Sequence, residues 1–363
     1  MANLYQYKCP ACGGALAFDS DAQQVKCPFC DSLFPVSDFL AADAALENGP
    51  EGPGGQTLES VNGAETEEAS GLYVYTCSSC GGEIIGDEHM AATSCPYCGN
   101  PVIISGNFSG SLKPAYVIPF QFNKEEAKNK LADHFRGRKF LPKEFSSENH
   151  LDEIKGLYVP YWLYDTDVIG QANFEGTKVR SWSDSRYDYT ETSYYDIHTE
   201  GGLEMEHLPA DGSSKMDDTM MESLEPFPFN LATDFQTAYL AGFLADKYDV
   251  TYQQNLPRVR VRALNSLISR LRAQVRGYHS VSTRSASGDL YHLSVHYALY
   301  PVWLMNTTWR GKQYTFAMNG ATGKMVGDLP CDKKKAFWKT VSNFLIWGAA
   351  ASVIVFLILT YLA

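Results

Sequence analysis

The residues with spacing suited to chemistry are cysteines. "CPACGGALAFDSDAQQVKCPFC" runs from Cys9 to Cys30 and "CSSCGGEIIGDEHMAATSCPYC" from Cys77 to Cys98. Each block holds two C-x-x-C pairs separated by fourteen residues, room for a short β-hairpin that folds the pairs onto one metal. Zn²⁺ has no directional d-electron preference, and four soft thiolates at about 2.3 Å close a tetrahedron around it. The expected ligands are Cys9, Cys12, Cys27 and Cys30 for one zinc and Cys77, Cys80, Cys95 and Cys98 for a second. No ligand position is left open for a substrate, so both zincs read as structural rather than catalytic. Redox dithiols or disulfides are the competing readings. Four pairs at duplicated spacing, in a chain that starts "MANLYQYKCPACGG" without an apolar signal segment, favour metal.

The blocks are copies of one module. All four cysteines recur at a constant offset of 68 residues, as do Tyr7 with Tyr75, Gly13 with Gly81, Gly14 with Gly82 and Pro28 with Pro96. Glycines give the knuckles their positive φ and prolines stiffen them. A module of this size cannot bury enough apolar surface to fold alone, so metal supplies the folding energy.

The elements around the cysteines divide the chain. Residues 1–40 form zinc ribbon 1 and 71–106 zinc ribbon 2. The linker 41–70 contains seven acids, no base and a Gly/Pro cluster. Such a tether repels itself and cannot bury a core, so the ribbons are expected to move independently. Residues 107–330 read as a mainly antiparallel α+β domain. In it, 114–122 alternates as a strand, and Asn123 with Glu126 makes a capping box that opens a helix through about Arg136. Segments 156–176, 181–205 and 290–330 are rich in aromatic and β-branched residues, and Asn319-Gly320 followed by Thr322-Gly323 marks a hairpin. P-x-W-L occurs twice, at Pro160–Leu163 and Pro301–Leu304. Helical patterns lie at about 231–248 and 257–276.

That last helix carries Arg258, Arg260, Arg262, Arg270, Arg272 and Arg276 and no acid. It reads either as a surface for anionic lipid or an acidic partner, or as a solvated helix face. Residues 331–340 form a basic juxtamembrane segment with Lys333, Lys334, Lys335 and Lys339. Residues 341–363 contain no charged side chain, enough to cross a bilayer as a C-terminal transmembrane tail anchor. The lysines precede the span, which puts the N-terminal domains in the cytoplasm and the protein in the cytoplasmic membrane. Trp347 and Tyr361 stand where interfacial anchors belong.

Net charge limits the partners. The formal charge is −12, with 42 acids against 30 bases, and eight thiolates with two Zn²⁺ would take it to about −16. Ribbon 2 has no Lys or Arg at all. This balance argues against nucleic acid and for protein docking. No P-loop, dinucleotide fingerprint, nucleophile elbow or H-E-x-x-H occurs. His292 and His296 lie four apart in a predicted strand, a spacing for sheet residues rather than a metal pair. Asp165, Asp167, Asp184 and Asp188 fit turns and strand ends, and Cys331 stands alone beside the lysines. The chain is expected not to be an enzyme.

Carried by the paired ribbons and by "IKGLYVPYWLYD" (154–165), "LPADGSSKMDD" (208–218), "SLEPFPF" (223–229), "YLAGFLADKYDV" (239–250) and "YALYPVWLMNTTWRGKQYTFAMNGATGKMVGDLP" (297–330), the chain resembles a bacterial family of tail-anchored double-zinc-ribbon proteins. These are often labelled transcription-factor-IIB-type zinc ribbon or primosomal-helicase-like. The helicase label has no nucleotide-binding motif to support it here. The resemblance implies a role in envelope stress, recruiting SPFH (flotillin-like) or phage-shock-protein-like partners to the membrane, and it brings no catalytic residues. The expectation is a membrane-anchored adaptor that grips a soluble protein through its ribbons. The alternative is a membrane-tethered nucleic-acid-binding or transcriptional protein.

Overall fold

Long runs of β-branched and aromatic residues, interrupted by few breakers, make unusually long strands. The chain is described by a computed structural model over residues 4–40, 56–57, 72–77, 79–80, 83–87, 89–95, 100–104, 113–136, 138, 141–142, 154–309, 312–327, 329 and 332–362. Ribbon 1 contributes β1 (Leu4–Tyr5), β2 (Ala17–Asp19), β3 (Gln24–Lys26) and β4 (Leu33–Phe34). Around ribbon 2 lie β5 (Gln56–Thr57), β6 (Leu72–Thr76), β7 (Glu83–Asp87), β8 (Met90–Ser94) and β9 (Pro101–Ile104). The rest supplies β10 (Tyr116–Val117), β11 (Lys155–Ser183), β12 (Asp188–Asp211), β13 (Thr233–Asp234), β14 (Leu244–Asp246), β15 (Ser280–Trp309), β16 (Lys312–Asn319) and β17 (Met325–Gly327). Four α-helices are described: α1 (Lys124–Phe135), α2 (Asp218–Leu224), α3 (Tyr252–Gln274) and α4 (Lys333–Leu362). The architecture is α+β.

One 11-stranded sheet runs β1-β9-β8-β14-β11-β15-β10-β13, with β12 on β11, and β16 then β17 beside β15. It crosses the expected domain boundaries. β1 of ribbon 1 pairs with β9 of ribbon 2, and β8 of ribbon 2 pairs with β14. The expectation of independently mobile ribbons therefore fails for the described residues: both are built into or packed on the central sheet. Linker residues 41–55 and 58–70 lie outside the described residues. Cohesion is mutual, since Tyr7, Leu16, Phe18, Val25 and Phe39 of ribbon 1 share one buried cluster with Phe120, Tyr158 and Trp303. At about 25 cal/mol per Å² of apolar surface, such a shared cluster outweighs the entropy a short tether would gain by swinging free.

Local expectations meet mixed outcomes. The capping box at α1 forms, with Asn123 Oδ1 accepting from the Glu126 amide at 2.8 Å and Glu126 Oε2 from the Asn123 amide at 3.0 Å. Only Tyr116–Val117 of the predicted strand enters the ladder, because Pro119 lacks the N–H that would extend it. Segment 231–248 is not a helix but two short strands and a 3₁₀ turn at Thr237–Leu240. Gly242 sits at φ +91°, and Phe235, Ala238, Leu240, Ala241 and Ala245 are all buried, which one helical face could not achieve. α3 begins at Tyr252, not at Pro257, because Thr251 and Gln254 form a capping box upstream. The two P-x-W-L segments are antiparallel neighbours on β11 and β15, with Pro160 opposite Leu299 and Pro301 opposite Tyr158.

α4 includes a stretch, Phe337–Val355, of 19 residues, long and apolar enough to cross a membrane, and none of it is buried. At 1.5 Å per residue it spans about 28 Å, close to a bilayer's hydrocarbon thickness. Phe344, Ile346 and Trp347 all face outward, so it is not a core helix of this chain.

Candidate metal centres

The knuckles of ribbon 1 close through backbone bonds. The Cys9 amide donates to Gly14 O at 2.7 Å and the Gly13 amide to Cys9 O at 2.8 Å. The second knuckle repeats this, Cys27 to Ser32 O and Asp31 to Cys27 O, each at 2.9 Å. Gly13 (φ +73°) and Asp31 (φ +57°) take the left-handed turn position. In ribbon 2 the Cys95 amide donates to Asn100 O at 2.9 Å, the counterpart of Cys27 to Ser32 at the same offset.

These turns bring the sulfurs together. Cys9, Cys12, Cys27 and Cys30 have their Sγ atoms all within 4.8 Å of one another, as do Cys77, Cys80 and Cys95. Cys98 lies outside the described residues. Measured separations are 3.6 Å for Cys9–Cys30, 3.5 Å for Cys12–Cys27 and 3.7 Å for Cys80–Cys95. Tetrahedral Zn–S bonds of about 2.3 Å require sulfurs about 3.8 Å apart, whereas a disulfide requires about 2.05 Å. The geometry fits a metal and excludes a bond between these sulfurs as placed.

The donor set also calls for a cation. Although the Gly14 amide favours its thiolate, hydrogen bonds with Cys27 and Cys30 push the Cys12 thiol up to about 12. Cys30 is drawn down to about 6 by the hydroxyl and amide of Ser32. Four sulfurs this close cannot all be thiolates unless a cation offsets their repulsion. In ribbon 1 one cysteine of each pair is buried and its partner exposed, Cys9 and Cys27 against Cys12 and Cys30, and in ribbon 2 Cys77 and Cys95 are buried and Cys80 exposed, so any metal would lie at the module's rim. Beside it Phe29 is 68% exposed, its ring packed where a Cβ on Gly14 would come within 2.5 Å.

Ribbon 1 is oriented by its opposite end. Phe18 N–H donates to Ala241 O at 2.8 Å, and Gln23 Nε2 to Phe120 O at 2.8 Å. Asn123 Nδ2 donates to both oxygens of Asp21, at 3.1 and 2.9 Å. The Tyr7 and Thr237 hydroxyls hydrogen-bond in the interior.

The six arginines, five on α3 and Arg276 just past its end, do not form one surface, and the chain's own carboxylates take Arg258 and Arg262 out of the expected lipid or partner contact. Arg258 turns inward to Asp211 (3.0 Å), Asp218 (2.7 Å) and Glu222 (2.7 Å). Arg262 pairs with Glu225 at 2.6 Å and also donates to Pro209 O. Arg260 bonds Asp289, and Arg272 donates to Val281 O at 2.5 Å. Arg270, Arg272 and Arg276 are exposed. Burial pushes Asp211 up to about 6 despite Arg258 beside it. Sequence reasoning missed this carboxylate, for no motif surrounds it. Of the lysines ahead of the span, Lys334 and Lys339 are exposed and Lys335 pairs with Asp332 at 3.7 Å.

Other titratable residues gather without assembling a relay. Asp165 Oδ2 and Ser294 Oγ lie 3.3 and 3.4 Å from the same atom, His296 Nε2. A proton relay needs the two ring nitrogens separately engaged. His292 Nδ1 meets Asp167 Oδ2 at 2.9 Å. Both histidines lie on β15, as the predicted strand has them. Bulges in β12 and β15 flank Asp165 and put His207 (φ 54°) and His292 (φ 53°) in the left-handed region. Asp184 caps the hairpin turn through the Arg186 and Tyr187 amides, and Asp188 accepts from Ser183.

No family model and no solved structure matches the chain. The chain is similar to the uncharacterized protein YdjG of Bacillus subtilis (strain 168), 32% identical over 336 residues, which is 92% of this chain and 93% of that protein.

Proposed function

We propose that this chain, which belongs to the family of Bacillus subtilis YdjG, is a non-enzymatic, membrane-anchored adaptor whose two zinc-loaded ribbons hold a cytoplasmic protein at the membrane. α4 crosses the bilayer with Lys333, Lys334, Lys335 and Lys339 on the cytoplasmic side. The partner is of the SPFH or phage-shock type that the family resemblance implies, engaged during envelope stress. Of all the observations, one carries the reading: cysteine clusters spaced for structural metal are fixed on a body that also bears an apolar helix whose membrane-length stretch, Phe337–Val355, is nowhere buried. A structural metal leaves the ribbon's outer end, with Phe29 and Leu33 exposed, available for docking rather than chemistry. Nucleic acid is the weaker reading, since Arg258 and Arg262, two of the six arginines that would meet phosphate, are engaged by the chain's own carboxylates.

Affinity purification of the full chain from its native membranes tests this. A stoichiometric protein should co-elute with the wild type. A Phe29→Ser, Leu33→Ser variant, which keeps all eight cysteines, should lose it while retaining two zinc ions per chain. Nucleic acid in the eluate with no such protein would reject the adaptor reading.

A further inference from the structure

The long arm of the sheet outruns the helix that covers it. α3 ends at Gln274, and β15 begins at Ser280, opposite Thr177. Past Thr177 only β11 and β12 continue, a two-stranded ribbon closed by the turn at Asp184–Tyr187. Residues 178–192 are exposed throughout.

Strand alternation gives this ribbon two unlike faces. On the side occupied by α3, Lys178, Arg180 and Trp182 stand opposite Ser193, Glu191 and Tyr189. On the reverse, Val179, Ser181 and Ser183 stand opposite Thr192, Thr190 and Asp188, with no cation. Rings and cations interleave on the first face. Trp182 and Tyr189 stack at 5.5 Å and 12°. Arg180 lies 5.4 Å from the Trp182 ring, and Lys178 lies 5.2 and 5.3 Å from Tyr195 and Tyr278. Exposed Arg272 and Arg276 at the end of α3 prolong the basic character.

Cross-strand pairs of this kind stabilise a ribbon that has no core, which accounts for the stacking. It does not account for the sorting of charge, because a ribbon holds together equally well with cations on either face. Nor does stacking hide the rings: Trp182 stays 44% exposed and Tyr187 65%.

We propose that this face of the ribbon binds an anionic lipid surface. Trp and Tyr settle at the headgroup level and Lys and Arg meet the phosphates. Lipid is favoured over other polyanions because α4 brings the chain to a bilayer, so this choice rests on the membrane reading of α4. The strand of 29 residues reaches roughly 90 Å at about 3.3 Å per residue, far enough to touch a surface the body does not.

The test loads the full chain through α4 into phosphatidylcholine nanodiscs, then offers phosphatidylglycerol or phosphatidylcholine vesicles and measures co-flotation. Co-migration with the disc reports α4 separately, so failure of the span and failure of the ribbon are distinguishable. Binding to phosphatidylglycerol alone, weakened by salt, is the expected result. Lys178→Gln with Arg180→Gln, which keeps the rings and the hairpin, should weaken it roughly 30-fold, about fivefold per cation. Arg136→Gln, a remote exposed cation on α1, should leave it unchanged. Equal binding to both lipids, or no loss in the Lys178/Arg180 variant, overturns the proposal. So does displacement of the vesicles by a single-stranded oligonucleotide at lower concentration, which would make nucleic acid the ligand.

Discussion

The two ribbons carry the same ligand spacing, yet their equivalent strands have different neighbours. In ribbon 1, β3 lies between β2 and β4 in a three-stranded sheet of its own. Its counterpart in ribbon 2, β8, pairs with β9 on one side and with β14 of the central sheet on the other. β7, the counterpart of β2, pairs with β6 instead. Ribbon 1 is thus attached to the body mainly by side-chain packing, through Tyr7, Leu16 and Phe18 in the shared core. Ribbon 2 is attached by a backbone ladder: Ala91, Ala92 and Ile103 reach the shared core, while Tyr75, Cys77, Ile84, Cys95, Val102 and Ile104 form a smaller cluster within the module. A module whose fold a bound metal fixed would not need all its strands to bury its own core, and duplication could then free them to pair elsewhere.

The largest test removes one metal at a time. Cys9→Ser with Cys27→Ser should lower zinc from two ions per chain to one and destabilise the central domain as well, because eight buried ribbon 1 residues, Cys9 and Cys27 among them, belong to its core. Cys77→Ser with Cys95→Ser should cost the other ion but disturb that core less, since those two cysteines lie outside it and ribbon 2 lends it Ala91, Ala92 and Ile103. Free energies of structural zinc sites are on the order of 10 kcal/mol, comparable with a whole domain's stability. Elemental analysis beside thermal unfolding measures both. Equal loss of central-domain stability in the two variants would erase the distinction between them.

A smaller test exchanges no metal. Phe18, 6% exposed and edge-on to Tyr239 at 5.2 Å, corresponds at the 68-residue offset to Gly86. Phe18→Ala should cost about 3–5 kcal/mol, as deletion of a buried ring does. Gly86→Ala meets only the movable end of Met90 and should stay below about 1 kcal/mol. Chemical denaturation of the two variants decides it. A larger cost at Gly86 would mean that ribbon 2 relies on packing after all.

The ribbons show what a sequence can and cannot convey. Ligand spacing, the Asn123–Glu126 capping box and the long aromatic strands were legible because each signal lies within a few residues. The pairing of β8 with β14 was not, since β14 is three residues, Leu244–Asp246, and its neighbour lies far away in sequence. The arginines of α3 left two readings open for the same reason. Their carboxylate partners Asp211, Glu222 and Glu225 are 36 to 47 residues distant, so a run of unpaired charge in sequence becomes a paired network in space. Segment 231–248 carried apolar periodicity, but Gly242 and burial on several sides overrode it. The acidic linker suggested mobility by composition alone, whereas attachment is decided by the residues at its two ends.

The smallest expected effect lies in a single hydroxyl. Tyr7 and Tyr75 are counterparts, both buried, but they serve different interiors. Tyr7 reaches across 230 residues to the hydroxyl of Thr237, itself 4% exposed, while Tyr75 belongs to the cluster of ribbon 2. Tyr7→Phe keeps the ring and its edge contact with Phe39 at 5.2 Å, so packing survives and only the hydrogen bond goes. Depriving a buried hydroxyl of that partner costs about 1–2 kcal/mol, too little to unfold the domain but enough to loosen the attachment of ribbon 1. The Phe18 amide, bonded to Ala241 O at 2.8 Å, reports that attachment directly. Its hydrogen exchange should quicken roughly tenfold in Tyr7→Phe, since 1.4 kcal/mol is a factor of ten. Tyr75→Phe should leave it unchanged, because that hydroxyl lies in ribbon 2. If both variants quicken the Phe18 amide alike, the ribbons move as one body through the β1–β9 pair, and the contrast between packing and ladder gives way to a single joint unit.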